Sequence, residues 1–580
     1  MKKLTMWKRM LPCLAAWAMA LFGAALHTAA AAAPVQGNAG CLGEAAEAAL
    51  RQRETALLGA MHANDHADAR GYRCQALQAG PGAQLADATP AAAVSGAPAD
   101  VGSWSAPFGI PVAGITSVLL HTGKVLFWSY DPANSSTAGS SNTGVAMVWD
   151  PVTRAGTAVT PPENIWCGGQ TILADGRVFV AGGNLRYPDP SAPAGQTGFQ
   201  GALSSYTFHP LSQTWTRQPD MANGRWYPTV TKLADNRVAI ASGYDETGSE
   251  AINQAIEIFT PAADPDGTGT MSTVAIHNAS GLYPLQFLMP SGQVLQAGPP
   301  WNNTVLFTPQ ASGTWPVSAV PPMLASHYNF GNGISVTDAA RTPAKQLVMV
   351  AGGANNSVVG TNNEWLDGMN PGAGWKPYPR WLQARHNANT VILPDGTLFT
   401  VGGNSSGGTY GSPLLESELY NKSAEDTTGL WVSMAPNSIP AAYHSSAILL
   451  PDATVLLSED DRDPAQASLH RAQVYSPPYL FRGARPKIQD GPSTVAAGGS
   501  YAFFIDDGKK IVGATLVAPG AVTHANDMHQ RLVRLAHVQK GREVRITVPA
   551  SKALLPPGYY MLFLISERGV PSAARFVRVQ

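Results

Sequence analysis

One pattern returns along most of the chain: a polar turn, a short run of β-branched and other apolar residues, then small residues. It begins at Gly123, Gly176, Asn236, Gly292, Lys345, Gly396 and Ala453, at intervals of 53, 60, 56, 53, 51 and 57 residues. The runs have strand length, and several end in paired glycines, as at Gly182-Gly183, Gly352-Gly353 and Gly402-Gly403. A period near 50 residues with such endings predicts kelch-type propeller blades. A four-stranded blade cannot bury both of its faces alone, so blades must stack around an axis. Glycine suits the narrow space near that axis. The expected architecture is therefore all-β, with a seven-bladed propeller over residues 101–480. Seven unrelated hairpins in a sandwich are the alternative, and the even spacing argues against it.

The repeat stops near residue 480. Beyond it, Tyr501–Ile505, Gly513–Val517, Arg531–Leu535, Glu543–Val548, Tyr559–Ser566 and Ala574–Val577 alternate like strands, with Pro and Gly between them. This predicts an immunoglobulin-like β-sandwich over 481–580. At the other end, Lys2, Lys3, Lys8 and Arg9 precede an apolar stretch and an alanine run ending at Ala33. That order is a signal peptide over 1–33. No later stretch reaches the ~18 apolar residues of a membrane span. The protein is thus expected to be secreted, or periplasmic or cell-surface in placement, with no transmembrane segment once the signal is removed. Residues 34–78 carry an Ala/Leu stripe that predicts a short helical segment, and the Ala, Pro and Gly of 79–100 predict a linker.

Composition narrows the class. Charged residues make up 13%, about half the usual share of roughly 25%. The 58 glycines and 46 prolines favour turns and short strands. A net charge of −1 gives no field to select nucleic acid. Of four cysteines, Cys13 leaves with the signal. Cys41 and Cys74 flank the helical segment, and a disulfide between them is the natural reading in an exported chain. Cys167 is left over.

Reactive side chains gather just ahead of the repeat strands: Trp166-Cys167-Gly168-Gly169, Arg225-Trp226-Tyr227-Pro228 and Ala442-Tyr443-His444-Ser445. Each lies 8 to 10 residues before its turn, so each should occupy an equivalent place on one rim. A fourth segment, Val522-Thr523-His524-Ala525-Asn526, falls in the C-terminal domain. These motifs, in this order, with Gly182-Gly183-Asn184, Ser476-Pro-Pro-Tyr-Leu and Pro557-Gly-Tyr-Tyr-Met-Leu-Phe, resemble the copper-radical oxidases, the galactose oxidase and glyoxal oxidase family. The resemblance covers about residues 101–580.

That resemblance implies one copper ion held by Tyr227, Tyr443, His444 and His524, imidazole being a donor that suits copper. It implies a thioether between Cys167 and Tyr227 as a protein-derived Cys–Tyr radical cofactor, and Tyr443 as the axial ligand and proton acceptor. Small aldehydes of the glyoxal or methylglyoxal type, or primary alcohols, would be oxidised by O2 with release of hydrogen peroxide. His529 is the rival to His524, and the Val-Thr-His context favours His524. In galactose oxidases a tryptophan follows the Gly-Gly of the Tyr227 blade; here Ser242-Gly243-Tyr244-Asp245 stands there, which argues against galactose. Trp226 is a candidate shield for the radical, although an indole at a strand start is more often core. Trp226, Trp381, Arg385 and His386 are candidates for the substrate pocket, and His386 reads equally as a satisfied loop histidine. The competing reading is a non-catalytic propeller that binds cell-surface glycan or protein. Such a module has no need for Cys167, Tyr227, Tyr443 and His524 together.

Overall fold

Strands dominate the computed structural model, which describes residues 43–58, 94, 96–131, 143–189, 191–276, 281–298, 302–311, 313–325, 327, 332–355, 358–406, 410–461 and 470–580. The signal segment, Cys41 and Cys74 lie outside the described residues. Within the predicted helical segment, Glu44–Leu58 is an α-helix. The end of the predicted linker is ordered instead: Pro98–Val101 forms a single helical turn.

Each repeat lays down an antiparallel sheet whose strands follow chain order. Thr229–Lys232, Val238–Ala241, Ala255–Thr260 and Thr270–Ile276 make one such sheet. The inner strands of successive sheets are Thr116–Leu119, Gly169–Ile172, Thr229–Lys232, Leu285–Leu288, Asn332–Asp338, His386–Ile392 and Ser446–Leu449. Second strands such as Val178–Ala181 and Val238–Ala241 are buried at every position. A strand with one wet face would alternate, so both faces of these sheets are covered. Phe179 of one sheet stacks on Phe259 of the next, with ring centroids 4.2 Å apart.

The paired glycines have a steric cause. Gly182 has φ +71°, and a Cβ there would collide with the carbonyl of Arg225 in the neighbouring sheet's entry loop. Gly402 (φ +70°) stands in the same relation to the carbonyl of Ala441. The adjacent residues then bond across: Gly183 N–H donates to Arg225 O (3.0 Å) and Gly403 N–H to Ala441 O (2.7 Å). Glycine here lets one sheet's strand end touch the loop that enters the next.

Two features were not visible in the strand pattern. Ser103–Trp104 and Phe108–Ile110 both pair with His470–Ser476, so the start of the repeat region completes its last sheet. The C-terminal domain also shares a sheet with the repeats, because Leu532–Arg534 pairs in parallel with Val336–Asp338. The domain has its own apolar core, with Phe503, Leu516, Val544 and Leu562. From it a hairpin, Ala521–Thr523 with Asn526–Asp527, reaches inward and pairs with Thr116–Val118. Its two-residue turn is His524-Ala525, both left-handed (φ 49° and 61°). That is the conformation a tight hairpin demands, here without the usual Asn or Gly.

Candidate metal centre

The repeat geometry converges on one kind of position, two residues ahead of an inner strand. Cys167, Tyr227, Tyr283 and His444 occupy it in four sheets, with φ of 61°, 65°, 47° and 66°. Left-handed backbone costs an L residue roughly 1–3 kcal/mol and survives where the surroundings enforce it. Here neighbouring loops enforce it: Tyr227 N–H donates to Cys167 O, and Tyr283 N–H to Tyr227 O, each at 2.9 Å. The side chains are thereby turned out of their own sheets and toward one another.

Tyr227 is fully buried between two rings. Trp226 stacks on it at 3.7 Å and 11°, and Tyr283 at 4.4 Å and 24°. Its hydroxyl lies 2.6 Å from that of Tyr443. The Cys167 thiol is within hydrogen-bond reach of Tyr227, and its Sγ is 3.9 Å from Nε2 of His524. The imidazoles of His444 and His524 meet edge-on at 4.6 Å. Burial pushes both the Tyr227 phenol and the Cys167 thiol well above their ordinary pKa. A phenolate in this interior needs a cation beside it.

The imidazoles are oriented for that task. Nδ1 of His444 is 2.8 Å from the Asp461 carboxylate, while its buried Nε2 has no hydrogen-bond partner among the described residues. With Nδ1–H donating, Nε2 presents a lone pair inward. Nδ1 of His524 is 2.8 Å from Thr523 Oγ1, which accepts in turn from Thr116 at 3.1 Å. Two imidazoles and two phenols form a nitrogen and oxygen donor set that fits copper. No group of three or more His, Cys, Asp or Glu suited to a metal occurs among the described residues.

Two family models match the chain: "Glyoxal oxidase N-terminus" over residues 133–467 and "Galactose oxidase-like, Early set domain" over 485–579. The chain belongs to the glyoxal oxidase family. It is an oxidoreductase of the galactose oxidase and glyoxal oxidase type. Its relatives include galactose oxidase from Gibberella zeae, 25% identical over 83% of this chain and 71% of that one. Aldehyde oxidase GLOX from Vitis pseudoreticulata is 26% identical over 71% of this chain and 82% of its own. A solved fungal alcohol oxidase of the AA5 family, in complex with copper, matches with a TM-score of 0.70 at 23% identity, over 83% of this chain and all of that one. That likeness shows a galactose-oxidase-like fold, with an early set domain at the C-terminus.

In this glyoxal oxidase family member, two of the other sequence-predicted pocket residues, Arg385 and Trp381, are engaged outside the Tyr227 cluster. Arg385 is fully buried as a clamp: it donates to Gly402 O, Glu416 O and Glu418. Arg225 makes the same clamp with Ser242 O, Ala255 O and Glu257. Trp381 packs against Trp431 and over Gly352, in a different apolar cluster from Tyr227. His386 is buried, which lowers its pKa to about 4. Asp245 caps its own turn through Thr247. His529 bonds with Thr171 (3.3 Å), and burial with nearby Lys232 and Arg531 holds it neutral.

Sequence reasoning missed Tyr283 and Asp461. Tyr283 was legible in principle, because it holds the Cys167 position one repeat after Tyr227. Asp461 had no such signal. It follows Ser458-Glu459-Asp460 as a run of ordinary turn acids, yet it is buried and accepts from Tyr130 (2.7 Å), Tyr410 and His444.

Proposed function

We propose that this chain is an exported copper-radical oxidase that oxidises small aldehydes or primary alcohols with O2. We read its repeat sheets as a closed seven-bladed propeller over residues 101–480, followed by an immunoglobulin-like domain over 481–580. One observation carries the reading. Side chains from three repeats and the C-terminal hairpin put Cys167, Tyr227, Tyr443, His444 and His524 in one buried cluster, where Nε2 of His444 has no hydrogen-bond partner among the described residues.

Tyr227, Tyr443, His444 and His524 would hold the copper. Bound there, copper supplies one electron equivalent of the two that the oxidation requires. The Tyr227 ring, joined through a carbon beside its hydroxyl to the sulfur of Cys167, holds the other. Forming that C–S bond removes two hydrogens, and dioxygen takes the two electrons. Tyr443, 2.6 Å from Tyr227, accepts the proton of the bound alcohol or aldehyde hydrate. The substrate loses two electrons and two protons in all, and dioxygen gains both as hydrogen peroxide. Trp226 covers one face of Tyr227 and is itself covered by Phe199 at 4.1 Å, so solvent is kept from the oxidised ring. Trp166 stands edge-on to His444 at 5.7 Å, with Tyr187 beside it.

The test is peptide mapping by mass spectrometry after aerobic copper loading. A single species should join the Cys167 and Tyr227 peptides, lighter by two hydrogens and resistant to thiol reductants. Separate peptides with copper bound would overturn the radical mechanism.

A further inference from the structure

Past its His524 tip, the inward hairpin continues to a second buried site. A cavity of about 40 Å³ lies there, lined by Lys232, His529, Arg531, Asp527, Gln286 and Tyr560 among others. Lys232 is 7% exposed and Arg531 9%. Their hydrogen bonds end on backbone carbonyls alone. The Lys232 ammonium donates to Pro557 O at 3.0 Å. The Arg531 guanidinium donates to Ala553 O and Leu554 O at 3.4 and 3.3 Å, and to Leu288 O at 3.2 Å.

Neither forms an ion pair among the described residues. This departs from the rest of the molecule. Arg177, Arg225 and Arg385 are the other deeply buried arginines among the described residues, and each has a carboxylate at 2.7, 2.8 and 3.0 Å respectively. A buried charge without a partner is costly, and two of one sign in one place compound the cost. Asp527 lines the same cavity, its Oδ1 accepting the N–H groups of Ala521 (2.8 Å) and His529 (3.0 Å), so the lining sets two cations against one carboxylate and keeps an excess of positive charge.

We propose that this cavity binds a small monovalent anion of halide size, held between the ammonium of Lys232 and the guanidinium of Arg531. Its volume equals roughly three water-sized sites at 10–15 Å³ each, enough for one halide and too little for sulfate with its shell. The ion would tie the inner strand carrying Lys232 to the far end of the hairpin that carries His524. The proposal does not depend on the copper reading, and its failure leaves that reading untouched.

The test is thermal unfolding of the full chain at pH 6, where Lys232 carries its proton, in sodium gluconate, chloride or bromide at constant ionic strength, with bromide-soaked crystals measured for anomalous scattering. Chloride and bromide should raise Tm by about 2 °C and then saturate, as binding to the folded state alone requires. Gluconate should have no such effect. An anomalous peak should lie beside Lys232 and Arg531, and Lys232→Met should lose the halide response. Equal Tm in gluconate and halide, an unchanged response in Lys232→Met, or no bromide peak in the unmodified protein would overturn the proposal. If Lys232→Met fails to fold, the diffraction measurement on the unmodified protein still decides.

Discussion

Replacing Asp461 tests whether the imidazole of His444 is held in place by a carboxylate it does not share with the metal. Asp461 is 2% exposed and accepts from Tyr130, Tyr410 and His444. Asp461→Ala leaves three buried donors without that acceptor, at roughly 1–3 kcal/mol each. Removing a buried carboxylate returns several kcal/mol of desolvation. The net loss of stability should be about 3 kcal/mol, and less for Asp461→Asn, which keeps the volume and one acceptor oxygen. The sharper readout is copper affinity. Outer-shell partners of ligating histidines change metal affinity by about 10–100-fold, so Asp461→Asn should lose at least tenfold. Competition titration of the apoprotein measures this, with electron paramagnetic resonance reporting the ligand field and urea unfolding the stability. If Asp461→Asn retains affinity within twofold and an unchanged spectrum, Asp461 does not orient His444, and its three hydrogen bonds serve the fold alone.

Further outcomes follow from the same geometry. His524→Ala should abolish copper retention with the fold intact, whereas His529→Ala should leave it; equal copper loss in both would refute the choice of His524. Gly182→Ala sets a Cβ against the carbonyl of Arg225 at a left-handed φ of +71° and should cost at least ~2 kcal/mol in urea unfolding; a loss under 0.5 kcal/mol would show that the loop yields there. Lys232 bears on pH. Burial, with Arg531 nearby, lowers its pKa from 10.5 to about 7. Between pH 7 and 10.5 the unfolded chain holds this proton and the folded chain does not, so the burial cost is full below pH 7 and fades as pH rises. In low halide, Lys232→Met should therefore exceed the unmodified protein in stability most at pH 6. That advantage should shrink by up to about 1.4 kcal/mol per pH unit above 7. An advantage independent of pH would mean that Lys232 does not titrate in this range.

The repeat, its turns and the strands of the C-terminal domain were readable because strand formation follows from local patterning: β-branched runs, and Gly or Asn at the turns. Cys167, Tyr227, Tyr443, His444 and His524 were readable as candidates because each stands in a distinctive short motif. Their meeting in one cluster is a tertiary fact. Left-handed backbone at equivalent positions aims Cys167, Tyr227 and His444, a loop-to-loop hydrogen bond fixes Tyr227, and His524 arrives on a hairpin from the C-terminal domain. The same register explains Tyr283, whose motif carries no signal but whose place in the repeat does. Trp226 shows the limit of local reading, since an indole beside a tyrosine can point into the core or onto its neighbour's ring; packing chose the ring. Arg385 shows the reverse, for an arginine in a motif like that of Tyr227 serves as a clamp on Glu418. Asp461, Lys232 and Arg531 were invisible because a charge's role depends on what surrounds it once water is excluded, and no run of neighbouring residues encodes that. Sequence by itself determined the strands and the chemistry available; only the tertiary structure decided which side chains meet, which charges are partnered, and which nitrogen of His444 faces inward.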